Sequence, residues 1–150
     1  MKTRILTLAL LITFSISSAF ANNTAGVSEK AISSFKKEYV NAKEVKWEST
    51  KDYSKATFKM NDQVLFAFYS VDGEFIALSR NIKTSQLPIN LSSKLKKSFA
   101  SYWVTDLFEM ASNNETSYYV TIESADHVII LKSGGVNGWE VYKKEKKSIA

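Results

Sequence analysis

YSKATFKMNDQVLFAFYSVDGEFIA, residues 53–77, alternates apolar and polar positions and is cut by two short polar breaks. Ala56, Phe58 and Met60, then Val64, Phe66 and Phe68, then Phe75 and Ala77 recur every second residue. That is the period at which a strand returns its side chains to one face. Asn61-Asp62 and Asp72-Gly73 supply residues suited to tight hairpin turns. With Val45 and Trp47 at the same spacing upstream, the segment predicts a four-stranded antiparallel meander.

On the N-terminal side of this meander, Val27, Ala31, Ile32, Phe35 and Tyr39 fall at helical spacing. Ser28 is placed to cap that helix, Val27 and Ile32 to staple its entry, and the helix is expected to end near Asn41. On the C-terminal side the order returns. Pro88 suits a first helical turn, and Leu91, Leu95 and Phe99 share one helical face. Strand-like stretches follow at 104–110, 118–123, 127–132 and 139–143, punctuated by Asn113-Asn114 and by residues 134–138.

Aligning the halves places Phe35 to Tyr39 on Leu95 to Phe99, Trp47-Glu48 on Phe108-Glu109, and the Gly73 turn on the Gly138 turn. The period, roughly 60 residues, is longer than common solenoid units, so two copies are expected to pair within one domain. The predicted fold class is α+β: two tandem repeats, about 27–82 and 87–144, each a helix followed by a four-stranded antiparallel meander, with the helices packed on one face of the sheet. In this alignment Trp47 and Phe108 occupy equivalent buried positions on the helix-facing side.

The N-terminus reads differently. Lys2 and Arg4 precede the apolar run Ile5 to Ile16, and small residues lead to Ala19-Phe20-Ala21, the order of a cleavable secretory signal peptide. The run is interrupted by Thr7, Thr13 and Ser15 and falls well short of the about 20 residues that span a bilayer. Residues 1–21 are expected to be removed between Ala21 and Asn22, leaving a periplasmic or secreted domain, residues 22–150, with no stable membrane anchor.

Composition narrows the chemistry. The chain has no cysteine, so no disulfide staples the domain and apolar packing must suffice. The formal net charge of +5 falls by two when Lys2 and Arg4 leave, and the remaining charges are dispersed except in Lys143-Lys144-Glu145-Lys146-Lys147. Nucleic-acid binding needs a larger basic face, so that tail is read as a solvated, frayed terminus, with weak contact to an anionic envelope surface as the alternative.

The Phe35-to-Trp47 passage, Val71-Asp72-Gly73-Glu74-Phe75, the Leu87-Pro88 opening of the second half and the Tyr118-Tyr119-Val120 strand together resemble the tandem PepSY-like domains of exported bacterial proteins, a family related in fold to beta-lactamase inhibitory protein. The resemblance runs from Val27 to Lys143 and implies a non-enzymatic exported domain, in a group where some members bind or restrain enzymes. PepSY modules are also similar to the pro-segments of certain secreted metallopeptidases. This sequence holds no peptidase and lacks the inhibitor's cysteines, and none of the inhibitor's contact residues maps onto it. The resemblance therefore carries over no inhibitory site.

A search for catalytic and cofactor chemistry gives no positive signal. His127 is the only histidine, and without cysteine neither an ordinary structural zinc set nor a Cys-His pair can form. His127 follows Asp126 at a strand start, a turn position, and no nucleophile elbow accompanies it. Gly134-Gly135 and Gly138 lack the pattern and the following helix of a phosphate loop and read as a hairpin connection. Asp52, Asp62 and Asp72 sit beside turns at spacings that match no calcium loop. No metal or cofactor is expected.

The surplus is aromatic. Phe35, Trp47, Phe58, Phe66, Phe68, Tyr118 and Trp139 fall on the predicted core faces, while Lys55, Thr57, Lys59, Leu65, Tyr69, Tyr119, Thr121 and Tyr142 have the opposite parity. If helices cover one side of the sheet, this second face meets solvent and offers tyrosines among polar groups, a composition common at interfaces. The function expected is an exported non-enzymatic binding domain that binds or restrains another envelope or secreted protein through the open face, with Tyr69, Tyr119, Tyr142 and Lys59 as contacts. The alternatives are an incidental solvated face, a small-ligand or glycan platform on the same face, and a hydrolase with an unrecognised carboxylate site.

The A-x-A ending makes the first prediction. Intact-mass analysis of the exported protein should give a chain beginning at Asn22, and Met1 in the soluble extracellular or periplasmic fraction would end the export reading.

Overall fold

A computed structural model describes residues 24–147; the expected signal peptide and its cleavage site lie outside the described residues. The element order is α1 (Glu29–Glu38), β1 (Lys43–Ser49), β2 (Tyr53–Met60), β3 (Gln63–Ser70), β4 (Phe75–Asn81), a 3-10 turn (Thr84–Gln86), α2 (Ile89–Ser98), β5 (Trp103–Ser112), β6 (Glu115–Glu123), β7 (His127–Ser133) and β8 (Glu140–Lys146).

This corrects the predicted architecture of two helix-plus-four-strand repeats. Among the described residues the strands form one eight-stranded antiparallel sheet in the order β1-β2-β3-β4-β5-β6-β7-β8, accompanied by two ten-residue α-helices. β4 pairs directly with β5 through Leu78↔Ala111, Ser79↔Met110, Arg80↔Glu109 and Asn81↔Phe108. Two separate four-stranded sheets would each leave a row of unpaired N–H and C=O groups at the seam, and the ladder satisfies both rows.

α1 forms where the sequence supplies its cap. The Ser28 side chain accepts from the Ala31 N–H at 3.1 Å, and the helix stops at Tyr39, short of the expected Asn41. Its inward stripe places Ala31, Phe35 and Tyr39 on Ala56, Phe58, Leu65, Ala67 and Tyr69. Phe35 lies 4.9 Å from Phe58, edge to face, and 5.4 Å from Trp47. α2 buries Leu91 and Leu95 against Ile82, Leu107, Val120, Ile122, Ile129 and Leu131. Register puts both clusters on the same face of the sheet: Ala67 opposes Leu78, Leu78 opposes Ala111, and Leu107 opposes Val120.

Between the clusters, still on that face, Arg80 Nε donates to Glu109 at 2.5 Å and Arg80 Nη1 to Gln63 at 2.9 Å. A largely buried ion pair thus occupies the gap between the two apolar clusters.

Two-residue turns set much of the register. Asn61 and Asp62 (φ 51° and 60°) join Met60 to Gln63, and Asn113 and Asn114 (φ 51° and 62°) join Ser112 to Glu115, the doubly left-handed backbone that asparagine and aspartate tolerate best after glycine. The expected frayed basic tail is also corrected. β8 runs to Lys146, Lys143 pairs with Glu145 at 2.6 Å, and Lys147 with Glu123 at 2.8 Å.

The β3–β4 turn docks on the start of α1, where Lys30 pairs with Glu74. Gly73 has φ +81°, and a Cβ there would meet Ser28 Oγ at 2.4 Å and the Ala31 N at 2.8 Å. Left-handed strain and a clash with the helix cap then act together, so Gly73→Ala should cost at least about 2 kcal/mol. Gly134→Ala, with nothing within 4 Å, should stay within about 0.5 kcal/mol of wild type. Urea unfolding of both variants checks the contrast.

Candidate functional site

The sheet face away from the helices carries a row of aromatic rings across β5, β6 and β8. Phe108 and Tyr119 are directly opposed partners, and their rings stack at 5.0 Å and 11°. Tyr119 in turn opposes Lys132 on β7, whose Nζ lies 5.5 Å from the Tyr119 ring centroid. Cross-strand neighbours of this kind are the natural contacts of a pleated surface, and a lysine over a ring adds a cation–π attraction.

Tyr142 reaches the row through an irregularity. The β7–β8 register shifts between Ile130 and Leu131, so Val141 and Lys143 are paired while Tyr142 is the extra residue between them. A bulge re-aims the side chain at that point. The Tyr142 ring meets Tyr119 edge-on at 5.7 Å and 90° and remains 37% exposed.

The structure thus brings Tyr119 and Tyr142 together as contact candidates. Lys59 lies on the same face in β2, held by Glu44 at 2.8 Å, but four strand spacings from Tyr119, about 19 Å. The placement of Tyr69 on the open face is corrected. It is 1% exposed on the helix side, with its ring 5.8 Å from both Trp47 and Phe75. Leu65 belongs there as well, while Phe66 and Phe68, expected in the core, face the open side. Phe68 packs edge-on against Tyr53 at 5.7 Å, and Lys55 Nζ lies 5.9 Å from the Phe66 ring. The expected equivalence of Trp47 and Phe108 fails in the same way: Trp47 packs under α1, and Phe108 lies on the opposite face.

Sequence reasoning missed Phe108, Lys132, Phe66 and Phe68 as open-face residues. For the two on β3 the signal was present, because a two-residue Asn61-Asp62 turn that pairs Met60 with Gln63 must also pair Phe58 with Leu65.

Among the described residues, the Asp106 and Glu123 carboxyls depart from their ordinary acidity in opposite directions. Burial pushes the Asp106 carboxyl upward on the open face, partly offset by a hydrogen bond from the Leu107 backbone. Glu123 is held low, chiefly by its hydrogen bond to Lys147. His127 donates its backbone N–H to Ser124 Oγ at 3.2 Å, in a turn. Among the described residues no three His, Cys, Asp or Glu side chains gather as a metal set, and no helix is long and apolar enough to cross a membrane. Residues 134–138 dock on α2, where Asn90 Nδ2 donates to the Gly135 carbonyl at 2.9 Å and Trp139 Nε1 to the Leu91 carbonyl at 3.0 Å.

Comparison with solved structures identifies the fold as beta-lactamase-inhibitor-like. A BLIP-like protein from Bacteroides fragilis superposes with a TM-score of 0.65 at 19% identity, covering 82% of this chain and 88% of that one. A DUF2874 family protein from Bacteroides ovatus gives 0.67 at 18% identity over 79% and 86% of the two chains. A protein from Bacteroides eggerthii provisionally assigned to the periplasm gives 0.67 at 14% identity over 79% and 88%. No family model matches the sequence, and no curated protein does.

Tyr69 supplies a pH test of its placement. Burial raises its phenol pKa above the ordinary 10.0, with smaller contributions from Tyr39 and Glu38. The unfolded chain then loses this proton before the folded one, so the stabilisation is complete below pH 10 and is lost as pH rises above it. Tyr69→Phe should therefore gain on wild type above pH 10, by up to about 1.4 kcal/mol per pH unit in urea unfolding. Parallel stability curves between pH 8 and 11 would return Tyr69 to solvent.

Proposed function

We propose that this chain is an exported, non-enzymatic binding domain that captures another envelope or secreted protein on its open sheet face, with Tyr119 and Tyr142 as anchors and Lys132 beside them. One observation carries the reading: the Phe108, Tyr119 and Tyr142 rings lie in contact on the sheet face opposite both helices. Large rings with polar tips give much contact area for little lost rotamer freedom, and a cluster of them is the usual core of a recognition surface. Lys59 extends the surface toward β2 as a rim charge.

Export is supported by the n-region, apolar run and A-x-A order of residues 1–21, together with a structural neighbour provisionally assigned to the periplasm. The BLIP-like neighbour favours a binder over an enzyme. Membership of the PepSY-like family rests on the sequence resemblance alone.

The test is cross-linking capture from the native envelope with wild type, with Tyr142→Ala/Lys132→Glu, and with Lys96→Glu on α2 as control. The double variant should keep its melting temperature within a few degrees and lose the partner by at least about tenfold, while the control retains it. Undiminished capture of the same protein by the double variant rejects the open face as the site. Recovery of a polysaccharide in place of a protein would assign the face to glycans.

A further inference from the structure

The helix side of the sheet holds a second feature, separate from the open face. Between α1 and the β3–β4 hairpin, a cleft of ≈ 230 Å³ is lined by Ser34, Glu38, Tyr39, Tyr69 and Phe75. It is smaller than the roughly 300–1,000 Å³ of pockets that take whole drug-sized molecules, so it suits a headgroup or the end of a side chain.

Its lining is chemically one-sided. Tyr69 is 1% exposed, yet its hydroxyl has no hydrogen-bond partner among the described residues. Because no side-chain oxygen sealed from solvent lacks a partner there, that hydroxyl opens to the cleft. A hydroxyl that opens to a cleft with no protein partner offers its hydrogen-bonding capacity to a ligand group or a water. Burial raises the phenol pKa of both Tyr39 and Tyr69, so both stay neutral and can accept a hydrogen bond.

Phe75 closes the outer side, 49% exposed and edge to face with Tyr69 at 5.8 Å. Glu38 brings a carboxylate with no ion-pair partner among the described residues. No lysine or arginine lines the cleft. Ring faces, phenol oxygens and a carboxylate all present negative potential, so an anion is repelled and a neutral alkyl group leaves the Tyr69 hydroxyl unpaired.

We propose that this cleft binds a primary alkylammonium group, with its N–H donors on the Tyr69 hydroxyl and the Glu38 carboxylate and its methylenes against Phe75 and Tyr39. The ligand chemistry is that of a lysine side chain or of a free small amine.

NMR titration of the mature chain tests it, following the Tyr and Phe ring resonances. The probes are n-butylammonium chloride, uncharged 1-butanol of the same length, and Nα-acetyl-lysine N-methylamide. n-Butylammonium should give saturable shifts and 1-butanol none. Glu38→Gln and Phe75→Leu, both at exposed positions and expected to melt like wild type, should each weaken the amine at least about tenfold. Tighter binding of the lysine derivative assigns the site to a side chain of a partner, and tighter binding of the simple amine assigns it to a free ligand. Equal shifts with 1-butanol, or no saturation with either amine at about 100 mM, overturns the proposal.

Discussion

The pairing of β4 with β5, from Leu78↔Ala111 to Asn81↔Phe108, is the constraint on which the rest of the molecule depends. It makes one sheet of eight strands and fixes the parity of β5 relative to β2 and β3. Both helices consequently lie over one face. Side chains reinforce the seam: Ser79 Oγ donates to the Glu109 carbonyl at 2.8 Å, and Ser112 Oγ to the Ile76 carbonyl at 2.7 Å. Arg80 and Glu109 cross it on the helix side. Two cores of eight or nine buried residues would each be small alone, and a shared ladder lets them stabilise one another without merging.

The same pairing determines what the other face can be. Phe108 is a seam residue, opposite Asn81 on one side and Tyr119 on the other, so the aromatic row starts at the middle of the sheet and runs toward β8. Phe108 is only 9% exposed although it lies on the face opposite the helices, and Tyr119 stacked upon it accounts for part of that cover. Burial is graded along this row. Phe108 is the buried base of the stack, while Tyr142, brought in by a bulge and 37% exposed, is its solvent-facing end.

Much of this fold was legible in the sequence where composition is asymmetric. Lys55, Thr57 and Lys59 leave no doubt about which side of β2 is polar, and Ser28 announces the start of α1. β3 was misread because Val64 to Tyr69 is apolar at every position, so period two alone cannot choose a face. The turn chooses it, and the choice puts small Ala67 rather than Phe66 or Phe68 beneath α1. Phe108 was misread for the same reason, since Leu107 and Phe108 are adjacent and equally apolar. Tyr142 and Lys59 kept their predicted face, but no pattern in the sequence reveals the distance between them. That distance depends on strand order, which is a tertiary fact.

Two of the four register irregularities in the sheet, those in β4 and β8, show why local irregularity escapes pattern reading yet shapes both surfaces. In β4 the register slips so that Phe68 opposes Ala77 while Tyr69 opposes Phe75, with Ile76 as the extra residue. Without that slip Phe75 would share a face with Ala77, away from α1, and the cleft beside Tyr69 would lose its outer wall. In β8 the slip beside Leu131 turns Tyr142 onto Tyr119. An extra residue leaves a gap in a ladder and is tolerated best near a sheet edge or a turn, where these two lie. Each bulge disturbs the pairing locally and moves one aromatic ring to the other face of its strand, so the hydrophobic pattern that builds the core also leaves rings outside it. The β4 bulge acts beside the turn that carries Gly73, and the β8 bulge acts on the last strand. Neither interrupts the Leu78-to-Asn81 ladder with β5, so each bulge re-aims one ring while the seam keeps its register.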